Sequence, residues 1–404
     1  MEGKDFFMKI LSVNAGSSSL KFTLFDMPAG NELIGGYFEK IGLDDSFYSI
    51  KMNGEKTKKI ELVKNHSEAV KILIDELIAN GVITSLDEID GVGHRLVHGG
   101  EKYSNSVLIN DEVIDAVEEL IPLAPLHNPA NLIGVRAFME AMKDTPNVGV
   151  FDTAFHQSMN REQYLYGVPY NWYKDYGVRK YGFHGTSHKF ITETMKEKLG
   201  KEDVNLIICH IGSGGSLCAV KDGKSFDTTM GFTPNAGIMM GTRSGDIDYT
   251  LIPYIMKNAN MTLEEVDNKL NKQSGLIGIS GYSDHRDVEE AMNNGSDEAV
   301  LANNMYVNKI VDYIAKYYVE LNGNIDALVF TAGLGENAIG FREDVMTKLE
   351  CLGIKLDKEV NNTIAGFKSV HEGIISTTDS NVDVYVVPTN EELMIATDTY
   401  NLIK

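Results

Sequence analysis

Apolar residues recur along the chain in two rhythms. Short apolar runs of strand character fall at 8–13, 20–25, 91–97, 147–151, 204–211, 216–221, 326–331 and 384–387. Stretches with helical spacing lie between them. His66 to Asn80 is amphipathic and stops at Gly81, and Ser187 to Leu199 is closed by Gly200. Asn128-Pro129 reads as an N-cap with proline at the first helical position, opening a helix to about Lys143. Thr262-Leu263-Glu264-Glu265 is a capping box, a long helical region follows Asp287 toward Leu321, and Asn390 caps a last helix from Glu391 to Ile403. Strand hairpins followed by alternating helices and strands predict α/β layers rather than a helical bundle.

The order of these runs restarts midway. Ile10–Phe22 and Ile207–Cys218 are built alike: an apolar run, a turn of Gly and Ser, and a second apolar run. Such a turn clusters backbone N–H groups and hydroxyls with little side chain in the way, which suits a phosphate. One in each half predicts a duplicated fold closing on a nucleotide from both sides; the plainer alternative is two ordinary hairpins. At 404 residues two domains are expected. The division is placed near 152, with 1–152 plus a returning helix at 392–404 as the N-terminal domain and 153–391 as the C-terminal one.

Charge and cysteine content narrow the partners. With 37 basic and 58 acidic residues the net charge is −21, which argues against sequence-wide affinity for nucleic acid or anionic lipid. Any anion site must be a local exception. No stretch is long and apolar enough to span a membrane. Residues 1–7 are too short and polar for a secretory signal, and Met8 is an alternative start that would leave them a frayed extension. Cys209, Cys218 and Cys351 lack metal-type spacing, and two sit in apolar runs, which points to a reduced, cytoplasmic setting.

Candidate chemistry gathers at strand ends. Arg95 in Gly91–Gly100 and Arg243 in Gly241–Asp246 each read as an arginine at a strand end among glycines, where a planar guanidinium can grip carboxylate or phosphate oxygens in pairs. Asp152 follows the strand Val148–Phe151 and could hold Mg²⁺ or cap a helix; the acids of Thr389-Asn390-Glu391-Glu392 pose the same choice. His184 and His188 are four apart, but Gly185 lies between them and no general-base Glu is near. Zinc is therefore disfavoured: His184 reads as a donor to an oxyanion and His188 as a core residue. Gly333 to Asn337 forms a glycine turn after a strand without the dinucleotide fingerprint, Gly223-Lys224-Ser225 lacks the first glycine of a Walker A loop, and no nucleophile elbow is present.

These residues together resemble the acetokinase family, the acetate kinases of the acetate and sugar kinase/heat-shock chaperone/actin superfamily. The likeness runs from Met8 to the C-terminus and is carried by Val13–Phe22, Gly93–Gly100, Phe151–His156, Tyr181–His188, Met239–Asp246 and Pro388–Glu392. It implies two α/β domains of duplicated actin-like (ribonuclease H-like) topology with the active site in the interdomain cleft. It implies ATP + acetate ⇌ ADP + acetyl phosphate, with Mg²⁺ or Mn²⁺, in a homodimer. By the resemblance Asn14, Arg95, Asp152, His184, Arg243 and Glu391 are catalytic, and Asn14, Asp152 and Glu391 set the metal. Ser17, Ser19, Lys21, His210, Gly212, Ser213 and Gly214 serve the nucleotide phosphates, while Asp284, His285, Arg286, Gly333, Leu334 and Asn337 serve the adenosine. Arg95, Val97, Leu126, Phe183 and Pro234 serve the acyl group. Ser213 stands where Asn is frequent, Asn235-Ala236 where Leu-Glu is usual, and His285 where Phe or Ser is common in a segment one residue short.

The nearest rivals are propionate and butyrate kinases, which share the charged site and differ in pocket volume. An ATP-gated module of chaperone or actin type would use the same turns but leaves Arg95, Arg243 and His184 without a shared purpose. A dinucleotide oxidoreductase lacks its fingerprint.

Overall fold

The computed structural model describes residues 7–404, so the opening extension at 1–6 lies outside the described residues. One compact unit runs to Gln157 and takes back Asn390–Lys404; the other is Ser158–Thr389. The chain therefore leaves the first unit at 157 rather than 152, and Glu391 belongs to the first unit. The reasons are local. A 3-10 turn over Ala154–Ser158 continues from the strand end, and Asn390 is the cap of the helix Glu391–Ile403 and goes with it.

The first unit contains an eight-stranded sheet built from β1 (Met8–Ala15), β2 (Ser19–Met27), β3 (Asn31–Glu39), β4 (Phe47–Met52), β5 (Glu55–Ile60), β6 (Gly91–Leu96), β7 (Val107–Leu108) and β8 (Asn147–Phe151). Their spatial order is β5-β4-β3-β2-β1-β6-β8-β7. The second unit has β9 (Leu206–Ile211), β10 (Gly215–Lys221), β11 (Lys224–Thr228), β12 (Ala327–Thr331), β13 (Gly373–Ile374) and β14 (Asp383–Val386), in the order β11-β10-β9-β12-β14-β13. The duplication is visible here. In each sheet a three-strand antiparallel meander (β1-β2-β3, β9-β10-β11) is extended from its first strand by two parallel strands (β6 and β8, β12 and β14).

Three helix expectations change in detail. Asn128 is inside the helix Asn128–Ala141 rather than its cap: its side chain is fully buried, accepting from His98 N–H and donating to the carbonyls of His98 and Val117. The helix expected from Ser187 begins at Gly185, entered through His184 at φ 57°. The long region after Asp287 is two helices, His285–Asn293 and Asp297–Glu320, because Gly295 at φ 88° breaks the turn and Ser296 recaps. The capping box at Thr262 forms as expected.

The helix Glu391–Ile403 packs on the first sheet through Ala396 and Tyr400 against Ile10, Phe25 and Met27. Glycine makes that approach possible: a Cβ on Gly93 would sit 2.3 Å from Thr399 Oγ1, and one on Gly91 2.6 Å from Ile403 Cδ1. His94, the next residue, points to the other face. It is buried and bonded through Nε2 to Asn147 Oδ1 at 2.7 Å, and burial lowers its pKa to about 4. Its ordinary value is 6.5, so the unfolded chain binds more protons between those values. Stability from this group is complete above the ordinary value and falls as the pH drops toward 4, by about 3 kcal/mol in all. Urea unfolding at a series of pH values should show His94→Gln with a flatter acid limb than the parent; parallel limbs would assign the titration elsewhere.

Candidate active site

Asn14 and Arg95 are the penultimate residues of the adjacent parallel strands β1 and β6. Arg95 grips Asp152 with both arms, Nε to Oδ1 at 3.1 Å and Nη2 to Oδ2 at 2.5 Å, while Nη1 donates to Asn14 Oδ1 at 3.3 Å. Asp152 follows β8, its own N–H bonded to Leu96 O, and its carboxylate meets the arginine. Burial works against the Arg95 charge, but Asp152 and Glu391 outweigh it and raise its pKa.

Asn390 settles the competition in the last motif. Its Oδ1 caps the helix by accepting from Leu393 N–H at 3.0 Å, and Glu392 pairs with Lys21. Glu391 is left facing Arg95 and Asp152. Burial pushes its pKa up; Arg95 opposes this, Asp152 and Glu392 reinforce it, and the result is about 7. The site thus offers oxygen donors only, with more carboxylate than its arginine balances. Among the described residues no three His, Cys, Asp or Glu side chains cluster for a metal. A cavity of about 520 Å³ opens here, lined by Asn14, Ser19, Lys21 and Arg95 with Tyr37 and Phe47; Ser17 is exposed at the turn and does not line it.

The second unit builds a different site. The β9–β10 hairpin turns through Gly212-Ser213-Gly214, with Gly212 N–H bonded to Gly214 O. Behind it is a cavity of about 970 Å³ that gathers Gly212, Ser213, Gly214, Arg243, Asp284, His285, Arg286, Gly333, Leu334 and Asn337. That is the upper range for a small-molecule site. Four stretches far apart in sequence meet at it. His210 is at the strand end and does not line it; its Nδ1 bonds Ser187 Oγ at 2.7 Å, and its ring packs on His184 with centroids 4.3 Å apart. Thr242, Ser283, Ile339 and Phe367 also line the cavity. Thr242 is next to a motif arginine, but nothing local in the sequence marks Phe367, which arrives by tertiary packing.

Arg243 is not at a strand end. It lies in an irregular stretch between β11 and the helix Leu251–Asn258, where Gly237 and Gly245 have φ of 97° and 67°, outside the extended region of a regular strand. Its Nη1 donates to Pro234 O at 3.1 Å, and among the described residues no carboxylate pairs with it; burial lowers its pKa. His184 and Arg243 converge: the point where Gly214 would carry a Cβ is 3.5 Å from Arg243 Nη1 and 3.7 Å from His184 Nε2. A half-buried cation with no counter-ion beside a glycine turn is an anion site by its chemistry. The proposed acyl residues are dispersed in character: Val97 and Phe183 are buried, Pro234 is half-buried, and Leu126 is 76% exposed.

A duplicated sheet of this topology, with a Gly/Ser hairpin in each copy and a nucleotide-sized cavity behind the second, defines a phosphotransferase of the actin-like fold that uses ATP. The acetokinase family pattern covers residues 9–397, and the chain belongs to that family. It is 52% identical over 397 residues to an acetate kinase of Geobacillus sp. (strain WCH70), covering 98% of each chain. Its fold matches the crystal structure of Porphyromonas gingivalis acetate kinase with a TM-score of 0.93 at 46% identity, over 98% of this chain and 100% of that one. A propionate kinase from Francisella tularensis matches with a TM-score of 0.91 at 40% identity, over 98% and 100%.

Proposed function

We infer that the chain catalyses ATP + acetate ⇌ ADP + acetyl phosphate by direct in-line transfer. The observation that carries this reading is Arg243, a cation without a counter-ion among the described residues, which converges with His184 on the Gly214 turn of the nucleotide-sized cavity. Acetate is already an anion at neutral pH, so attack on phosphorus needs no general base. The obstacle is repulsion between an anion and a polyanion. The carboxylate oxygen forms a bond to the γ-phosphorus as the bond to the bridging oxygen breaks, and ADP leaves with that electron pair. Arg243 and the His184 Nε2 edge stabilise charge on the transferring group. Arg95, held rigid by Asp152, orients the acetate carboxylate, with Val97, Leu126, Phe183 and Pro234 at the methyl. Ser17, Ser19, Lys21, His210 and the Gly212–Gly214 turn serve the phosphates, and the 284–286 and 333–337 segments serve the adenosine.

Asn14, Asp152 and Glu391 fit a hard divalent cation: all are oxygen donors, and burial, with Asp152 and Glu392 close by, disfavours a charged Glu391 that such a cation would stabilise. Mg²⁺, or Mn²⁺ in its place, would neutralise phosphate charge there. Magnesium keeps several waters and needs few protein ligands, which agrees with so small a donor set.

The second unit also favours self-association. No residue of the helix Leu251–Asn258 is buried although most are apolar, and Tyr249, Tyr254 and Leu263 nearby are 78%, 64% and 61% exposed. A second copy would cover them in a homodimer; a monomer in sedimentation at micromolar concentration would remove this reading. The cysteines are unpaired, with burial pushing the Cys218 thiol up to about 12, in keeping with a reduced cytoplasmic compartment.

The activity is tested with Mg·ATP and acetate, propionate and butyrate side by side, trapping acyl phosphate with hydroxylamine. The highest kcat/KM is expected on acetate. Preference for a longer acid would move the specificity to Asn235-Ala236; absence of any acyl phosphate with ATP still bound would sink the reading.

A further inference from the structure

Ser216 lies on β10 directly across from His210 on β9 and is fully buried. Its hydroxyl joins two imidazoles, lying 3.0 Å from His184 Nδ1 and 2.8 Å from His188 Nε2. We propose that Ser216 is a positioning residue that relays from His188 and fixes His184 with its proton on Nε2. This rests on the reading of His184 as a donor to the transferring phosphoryl group.

The argument is one of proton supply. A hydroxyl has one proton to give and a neutral imidazole has one N–H, so the direction of the chain decides which edge of His184 bears hydrogen. When His188 Nε2–H donates to Ser216 Oγ and Ser216 O–H donates to His184 Nδ1, His184 keeps its proton on Nε2. That nitrogen and Cε1 are each 3.7 Å from the Cβ position of Gly214, the edge Arg243 also approaches. The reverse direction would turn a lone pair toward a phosphoryl oxygen, which repels. A donor on Nε2 is the arrangement a negative group there requires.

The ring is also kept from flipping. His184 enters the helix Gly185–Leu199 at φ 57°, and its carbonyl accepts from His188 N–H one turn on at 3.0 Å, so both rings are set from one helix start. The His210 ring lies against His184 at 30° between planes, itself bonded through Nδ1 to Ser187 Oγ, which bonds Thr389 Oγ1 at 2.7 Å. The packed His210 face and the Ser216 bond together hold the Nδ1 edge inward.

The test is the imidazole nitrogen spectrum of protein labelled with ¹⁵N-histidine, with His184 assigned by its absence in His184→Gln. The parent is expected to show His184 as the Nε2–H tautomer. Ser216→Ala should give a mixed or reversed tautomer and a kcat lowered about 10–100-fold, with the KM values for ATP and acetate within about twofold. Ser216→Cys, a weak donor of similar size, should fall between. A parent His184 protonated on Nδ1 alone overturns the proposal, as does Ser216→Ala with parental tautomer and turnover. Near-normal turnover of His184→Gln would instead remove the donor reading of His184, while the spectrum still reports the relay.

Discussion

Arg243→Ala is expected to lower kcat by about three orders of magnitude, equivalent to about 4 kcal/mol of transition-state stabilisation. The same change should leave the folded protein nearly as stable as its parent, within about 1 kcal/mol. The two halves of this expectation come from one fact. Arg243 is half-buried and, among the described residues, its side chain meets no carboxylate, bonding Pro234 O and the Met240 sulfur. Removing it takes away a desolvated charge that the empty protein does not compensate, so folding loses little. Catalysis loses the cation at the moment charge gathers on the phosphoryl group. Arg243→Lys keeps the charge but not the planar fork, and should recover only part of the rate. Steady-state kinetics with urea unfolding of the same samples reads both halves; turnover within tenfold of the parent, or a grossly unstable variant, would contradict the assignment.

Asp152→Asn should behave in the opposite way, costing stability and activity together. Asp152 is almost fully buried and holds Arg95 through two hydrogen bonds. The neutral amide leaves a buried guanidinium short of a partner, and breaking such a pair costs about 3–5 kcal/mol. The low end is expected, because Glu391 no longer feels the Asp152 charge, ionises more readily and partly replaces it. The kcat/KM for acetate should fall at least about 100-fold, since Arg95 is no longer fixed and an oxygen donor for the metal is gone. Affinity for ADP in the absence of divalent cation should hold, because the 970 Å³ cavity is built from the second unit alone and Asp152 is proposed to meet the nucleotide only through the metal. Calorimetric titration with ADP is the control: loss of ADP binding alongside acetate would show that the damage is global.

The sequence disclosed four strands of each unit, and physical reasons explain what it hid. β1, β2, β6, β8, β9, β10, β12 and β14 are apolar runs because both of their faces are largely covered. β3, β4, β5 and β11 were silent, as were the two-residue strands β7 and β13. β5 is Glu55-Lys56-Thr57-Lys58-Lys59-Ile60, exposed throughout, and β3 carries Gly35 and Gly36, so neither shows a strand rhythm. Lysines on an outermost strand discourage pairing with another chain, which serves solubility and conceals the strand. At the site, the glycine turns and the motif arginines were legible because close backbone approach and bidentate charge need particular residue types. Phe367, Thr242 and Ile339 were not, since a cavity wall asks only for bulk in the right place. The placement of Arg243 at a strand end failed because glycine between apolar residues serves an irregular loop equally well.

The helix that covers Gly91 and Gly93 comes after the whole of the second unit in the chain. Translation delivers the first sheet, then the whole of Ser158–Thr389, and only afterwards the residues that complete the first unit's packing. Until this helix arrives, the narrow groove over the two glycines is open and Glu391 is not yet beside Arg95 and Asp152. A nascent chain stalled or cleaved before its final turn of synthesis can therefore present a nearly finished nucleotide cavity while lacking the carboxylate proposed for the metal. The fold ties the first unit's acidic site to synthesis of the second: Glu391 reaches Arg95 and Asp152 only after Ser158–Thr389 has been made.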